Sequence, residues 1–283
     1  MTDLFIKMKE LLVHSSGNYY LLVDQSAFPY LTKIKKKMAT LHIINILDTN
    51  ANQPMDAASP VLIQLDLNGL NEEIIQWFCT QGAYANGLHV LKSSLPLKQL
   101  AEKLAERSDA LLPDNMTVLL RYFDTRIFAS LLTILAKEQI KLLSNDIQSW
   151  WYVNRSAELI VACLDNEGRS DPETKPQIVF SAEQEAGLLD AANGDMILSQ
   201  LQQNPPEIMY SMRPDQQYEV VIHLMRMAVK NGIQQIPEWL AFCVFGFATK
   251  GAIYQQAPWT ELIDQLKAGK ISFAEALELS NED

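Results

Sequence analysis

Two rhythms of apolar residues run along the chain. Up to about residue 163, short solid apolar runs alternate with stretches in which apolar residues recur every three or four positions. The second rhythm comes first. Leu4, Phe5, Met8, Leu11 and Leu12 share one face of a helix expected over residues 2–14 and ended by Gly17-Asn18. Tyr19–Val23 then predicts a buried strand closing on Asp24, and Pro29 opens a further helix. Leu41–Leu47 and Val61–Leu65 predict two more strands, separated by a polar, Asn-rich surface loop over 49–60. Asn71 is expected to cap a helix through Thr80 that buries Ile74, Ile75, Trp77 and Phe78. The pair Asn86-Gly87 marks a turn before a strand at Leu88–Leu91, and Pro96 starts a helix with Leu97, Leu100, Ala101, Leu104 and Ala105 on one face.

The stretch Met116–Phe128, MTVLLRYFDTRIF, brings both rhythms together. Val118, Leu119, Leu120, Tyr122 and Phe123 form an apolar run that predicts a strand covered on both faces, with Arg121 as its only charged interruption. Asp124 stands where a helix N-cap belongs, able to accept the backbone N–H of Arg126 or Ile127. The helix continues through Leu135, and a shorter one is expected over Lys137–Leu143. Ile147–Val153 and Leu159–Cys163 predict paired strands. This alternation gives an N-terminal lobe of α/β or α+β class, a sheet of six or seven strands with helices.

Residues 165–177, DNEGRSDPETKPQ, are charged, broken by proline and without periodicity, so they predict a linker between a mixed lobe at 1–164 and an all-α lobe at 178–283. Ser181 and Gln184 form a capping box for a short helix, with a second expected over Asp195–Gln202 and a stop at Pro205-Pro206. Pro214 opens a helix to Lys230 with Val221, Ile222, Met225, Ala228 and Val229 inward, ended by Gly232. Pro237 opens another, whose run Trp239–Ala248 is apolar all round and is expected to be buried at the centre of the lobe. Two helices, Thr260–Lys267 and Ser272–Leu279, follow.

Charge sharpens this division. Residues 1–164 carry 15 Lys and Arg against 16 Asp and Glu, whereas residues 165–283 carry 8 against 18. The net charge of −11 therefore lies almost wholly in the C-terminal portion, which argues against nucleic acid or an anionic membrane as partner. No apolar run approaches the ~20 residues of a membrane span. The charged N-terminus is unlike a signal peptide, so a cytoplasmic protein without membrane insertion is expected. Cys79, Cys163 and Cys243 lie far apart among apolar neighbours and read as reduced core residues. Half of the ten methionines, Met196, Met209, Met212, Met225 and Met227, fall in the acidic region. They are core filler or an adaptable protein-binding surface. The one dense basic cluster, Lys33, Lys35, Lys36 and Lys37, reads as a solvated helix face or a docking patch for an acidic partner.

Catalytic motifs are missing from the sequence. His14, His42, His89 and His223 are scattered without metal-ligand spacing, and no HExxH, CxxC, GxSxG or phosphate loop occurs. Neither cofactor nor metal is expected. Arg121, Asp124 and Arg126 leave two readings open: a capped, ion-paired strand-to-helix junction, or a catalytic aspartate with arginine clamps in an enzyme of unrecognised type.

The run TVLLRYFDTRIFASLL, followed by KEQIKLL and IQSWW, resembles the effector adaptor or chaperone family of type VI secretion. That family shows an Arg-aromatic-aromatic-Asp-Pro-Arg block leading into a helix, with a Trp about two dozen residues later. Arg121, Tyr122, Phe123, Asp124 and Arg126 match the block, with Thr125 in place of Pro, and Trp150 matches the later Trp. YYLLVDQSA with Asp24, and Ala58-Ser59-Pro60, are similar to the family's opening features, so the resemblance spans roughly residues 18–155. It implies a non-catalytic cytoplasmic adaptor that holds a secreted effector protein and helps deliver it to the spike tip protein. Asp24, Arg121, Asp124, Arg126 and Trp150 would be structural or partner-contact residues. The acidic C-terminal lobe is expected to contribute to cargo binding, on the scaffold that the sheet lobe supplies.

Overall fold

The computed structural model describes residues 3–13, 17–28, 41–47, 59–65, 70–162 and 177–280. Two compact units, Met1–Leu188 and Leu189–Asp283, make up the chain. The first is a helix-covered sheet unit and the second is all helical.

The first unit is built on six antiparallel strands: β1 (Asn18–Asp24), β2 (Ile43–Asn45), β3 (Pro60–Leu65), β4 (Leu88–Ser93), β7 (Ser149–Val153) and β8 (Leu159–Val161), in the order β2-β3-β1-β4-β7-β8. Solid apolar runs in an antiparallel sheet need cover on both sides, and the residues of β1 show it. Tyr19, Leu21 and Val23 join a core with Leu4, Phe5, Met8 and Leu12 of α1 (Asp3–Val13) and Ile74, Ile75 and Phe78 of α2 (Leu70–Gln81). Tyr20 and Leu22 point the other way. They meet Leu100 and Leu104 of α3 (Leu97–Glu106), Phe128 and Leu131 of α4 (Thr125–Ile134) and Leu143 of α5 (Lys137–Ser144). Period-two alternation thus distributes one apolar strand between two cores.

A second, three-stranded sheet holds β5 (Asp109–Leu111), β6 (Thr117–Leu119) and β9 (Ile178–Val179), ordered β6-β5-β9. Here the structure corrects the sequence reading. The run at Val118–Phe123 is not one strand of the main sheet covered on both faces. Strand β6 ends at Leu119, with Thr117 and Leu119 exposed, and the chain then bends inward at Arg121, where Tyr122 N–H donates to Leu120 O at 2.9 Å. Apolar character at 120–123 reflects burial of a bend. Helix α2 begins at Leu70, so Asn71 lies within its first turn.

The helix-opening Pro29, the Lys33–Lys37 cluster, the 49–58 loop, Cys163 and all but Gln177 of the expected linker lie outside the described residues. The compact units divide beyond that linker, within α6 (Ala182–Leu201). Strand β9 belongs to the first unit, pairing in parallel with β5 through Ala110↔Ile178. The capping box at the start of α6 forms as expected, with Ser181 Oγ accepting Gln184 N–H and Gln184 Oε1 accepting Ser181 N–H. Two expected short helices are one continuous helix. Gly194 does not break it, because its missing side chain admits Ile222 and Tyr218 of α7 (Pro214–Lys230), and a Cβ there would lie 2.6 Å from Ile222 Cδ1.

In the second unit α7 buries Val220, Val221, Leu224 and Ala228, while Val229, expected inward, is exposed. Helix α8 (Ile236–Gly246) is not buried all round: Phe242 and Cys243 face the core, and Ile236 and Val244 face solvent. Phe242 stacks on Tyr254 at 3.9 Å between centroids. Trp259 of α9 (Trp259–Lys267) and Phe273 of α10 (Phe273–Ser280) complete this core. Met209 is buried in it and Met212, Met225 and Met227 pack against it, leaving Met196 exposed.

The turn entering β4 is a tight joint of the first unit. Asn86 adopts a left-handed φ of 59°, and Gly87 O accepts the N–H of Asp24 at 2.9 Å. A Cβ on Gly87 would lie 2.8 Å from Ala27 Cβ and 3.0 Å from Asp24 Cβ, atoms held rigidly by backbone. Gly87→Ala is therefore expected to destabilise the protein by about 1–3 kcal/mol, as forced overpacking does. Urea unfolding checks this, and a variant as stable as the parent contradicts the rigid joint.

Candidate functional site

The bend that ends β6 brings the candidate residues to the C-terminal end of β1. Asp24, the last residue of that strand, caps a short 3-10 turn at Gln25–Ala27. Its Oδ1 accepts Ser26 N–H at 3.0 Å and the Ser26 hydroxyl at 2.6 Å, and its Oδ2 accepts Arg121 Nη2 at 2.9 Å. The carboxylate is buried and the guanidinium side chain is 42% exposed. The Arg121 guanidinium also lies 5.5 Å from the centroid of the Phe123 ring.

Asp124 is the N-cap of α4, accepting Arg126 N–H at 3.0 Å, one of the two donors expected. Arg126 folds back over it with two further bonds, Nε to Oδ1 at 2.9 Å and Nη2 to Oδ2 at 2.6 Å. This forked pairing satisfies both carboxylate oxygens. Burial pushes the Asp124 carboxyl upward, but the Arg126 hydrogen bonds and charge, with a contribution from Arg121, outweigh it and hold the group below the usual carboxylate range. Thr125, at the position where the resembled block carries proline, donates its N–H to Asn86 O at 2.9 Å. Proline has no N–H to donate and could not tie the helix start to the β4 turn in this way.

Trp150 is fully buried on β7 and does not touch these ion pairs through its polar atom. Its Nε1–H donates to His89 Nδ1 at 3.0 Å, and its ring stacks on Phe128 at 4.5 Å. His89 Nε2 lies 3.0 Å from Phe123 O. Because Nδ1 accepts, the single proton of the neutral ring sits on Nε2 and is donated to that carbonyl. Trp150, His89 and the backbone before Asp124 thus form one hydrogen-bonded chain across the core. Burial pushes the imidazole down to about 4, against the opposing effects of the Phe123 carbonyl and the Asp124 charge.

His89 is a site-building residue that sequence reasoning passed over as one of four scattered histidines, and Gly87, expected in a turn, closes that turn against Asp24. One signal was present: a histidine inside the apolar strand LHVL needs a buried partner. Elsewhere, Arg107 is 1% exposed and pairs with Asp146 at 2.8 Å, while its Nε and Nη1 have no acceptor among the described residues. Among the described residues no group of three or more His, Cys, Asp or Glu could hold a metal ion. No helix among them is long and apolar enough to cross a membrane.

The segment that builds this site matches a family model. Residues 19–142 match DUF4123, a domain of unknown function. The DUF4123 segment contains Asp24, His89, Arg121, Asp124 and Arg126, and stops short of Trp150, which enters the core from the strand that follows. Neither the curated proteins nor the solved structures contain a match to the chain.

The pH dependence follows from the buried imidazole. Its folded-state value of about 4 lies below the ordinary value of 6.5. Its stabilising contribution is therefore complete above pH 6.5 and is lost as pH falls through the window from 6.5 to about 4. Unfolding free energy should drop by up to about 1.4 kcal/mol per pH unit there. NMR titration should show His89 neutral, protonated on Nε2, down to about pH 4. An imidazole titrating near 6.5 in the folded protein contradicts the hydrogen-bonded chain.

Proposed function

We propose that the chain is a non-catalytic cytoplasmic adaptor that binds a type VI secretion effector and helps load it onto the spike tip protein. One observation carries this reading. Residues 19–142 match DUF4123, a family associated with type VI secretion adaptors and chaperones, and the matched segment contains the Arg121–Arg126 block.

The geometry of the block fits a scaffold role. The Asp24 and Asp124 carboxylates are each engaged by an arginine and by a backbone N–H, so that every oxygen of the two accepts at least one hydrogen bond, an arrangement suited to fixing a junction. Asp24, Arg121, Asp124 and Arg126 then act by shaping the sheet unit against which partners bind. An enzyme built on Arg121, Asp124 and Arg126 would need at least one of these groups released. The second unit, with its exposed Val229, Ile236 and Val244, supplies further apolar surface for cargo.

Deleting the protein from its own cells tests the proposal. One effector should then remain in the producer while the spike still assembles and fires, and the purified protein should form a complex with that effector and the spike tip. Unchanged delivery of every effector, with neither partner bound in vitro, would overturn it.

A further inference from the structure

The three-stranded sheet has two edges, and they differ. On the β9 side, Gln139 Nε2 donates to Val179 O at 2.7 Å, which occupies that edge. On the β6 side no such cover exists among the described residues. In the β5–β6 ladder, Leu112 N–H donates to Met116 O at 2.9 Å, Leu120 N–H donates to Ser108 O, and Ala110 is paired with Val118. Alternate residues of an antiparallel strand turn their backbone groups the same way. Met116, Val118 and Leu120 therefore face β5, and the N–H and C=O of Thr117 and Leu119 face outward. Side chains follow the same alternation. Leu120 is buried, whereas Thr117 and Leu119, on the opposite face, are exposed, Leu119 by 47%.

Edges of this kind are templates for another strand, and proteins blunt them with charge, proline or bulges. Between Met116 and Leu120 there is neither charge nor proline. The first charge is Arg121, directly beyond the strand. Its Nη2 is committed to Asp24 and Ser26, while Nε and Nη1 have no acceptor among the described residues and the side chain is part-exposed.

We propose that the open edge of β6 is a strand-addition site for an extended segment of a partner protein, with apolar side chains opposite Thr117 and Leu119 and an acidic residue at the end that meets Arg121. Backbone pairing would supply the affinity, and the Leu119 contact and the Arg121 guanidinium the selectivity. A foreign strand fits better than a second copy of this chain, because a second β6 paired antiparallel with its Thr117 opposite Leu119 would set the uncharged Asn115 at Arg121. This inference rests on the adaptor reading for the identity of the partner, the effector segment, but its test does not.

The probe is a synthetic peptide, acetylated and amidated, of sequence Glu-Thr-Val-Thr-Val-Thr. In an antiparallel alignment it sets Glu at Arg121 and Val opposite Leu119 and Thr117. Amide hydrogen exchange of the full chain, followed by NMR, should slow at least about tenfold at Thr117 and Leu119 when peptide is added in excess. Leu119→Pro removes an N–H that makes no bond within the sheet, a placement edge strands tolerate, and should abolish the protection with the fold intact. The same peptide N-methylated on its edge-facing amides tests the point without altering the protein, and should not bind. Replacing its Glu by Gln should weaken binding about twofold to fivefold, the scale of a part-exposed ion pair. Unchanged exchange at Thr117 and Leu119, equal binding of the N-methylated peptide, or a peptide-free dimer that buries these amides would overturn the proposal. Peptide binding at this edge, together with unchanged effector delivery in the deletion strain, would instead retire the adaptor reading alone.

Discussion

Burying a carboxylate is tolerable only when its charge is paired and its lone pairs are occupied. This constraint shapes the first unit at the point where its two sheets meet. Asp24 and Asp124 are both inaccessible to solvent, and both guanidiniums that answer them come from the single stretch Arg121–Arg126. A chain leaving β6 must therefore turn so that Arg121 reaches the end of β1 while Asp124 takes the N-cap of α4. The turn carries Tyr122 and Phe123 into the core, where the Tyr122 hydroxyl donates to Leu104 O at 2.8 Å and the Phe123 carbonyl accepts the hydrogen bond of His89 Nε2–H. Removing either arginine would leave a buried charge with backbone or hydroxyl donors only. The junction thus depends on the pairs for the occupancy of its buried carboxylates.

Much of this was legible in the sequence, for reasons that can be named. Caps and turns are short-range: Asp124, the Ser181–Gln184 box and the Asn86-Gly87 turn each need only neighbouring residues to be recognised. The alternation of strands and helices was visible because apolar periodicity is itself local. What was hidden depended on residues far away. The run at 118–123 reads as a strand by composition, and only its partners, Ser108 on one side and Asp24 on the other, make it a short edge strand followed by a bend. Gly194 looks like a helix breaker until Ile222 is seen to occupy the space of its side chain. Helix α8 reads as wholly buried because eight of its eleven residues are apolar or aromatic, yet Ile236 and Val244 on its outer face are exposed. The pairing of Arg121 with Asp24, 97 residues away, was not deducible from spacing at all.

Chemistry and architecture point the same way. The two carboxylates at the junction are engaged by the arginines of one short block, so that block, which lies within the matched segment, holds geometry. It holds the end of β1, the start of α4 and the exit of β6 in fixed relation. The exit of β6 is also where backbone groups of the smaller sheet have no partner among the described residues, beside the exposed portion of Arg121. One short segment thereby stiffens the scaffold and frames its open edge. Trp150, contributed from beyond the matched residues, locks the same segment from within through His89.

The most direct test of the charge-pinned junction is a double-mutant cycle on Asp24→Ala and Arg121→Ala, read by urea unfolding at pH 7. The account predicts a coupling of about 0.5–1 kcal/mol, reduced from that of a fully buried pair because the guanidinium is partly solvated. Additive effects of the two substitutions, with no coupling beyond error, would contradict it, since the bend at Arg121 would then be held by burial of Tyr122 and Phe123 alone.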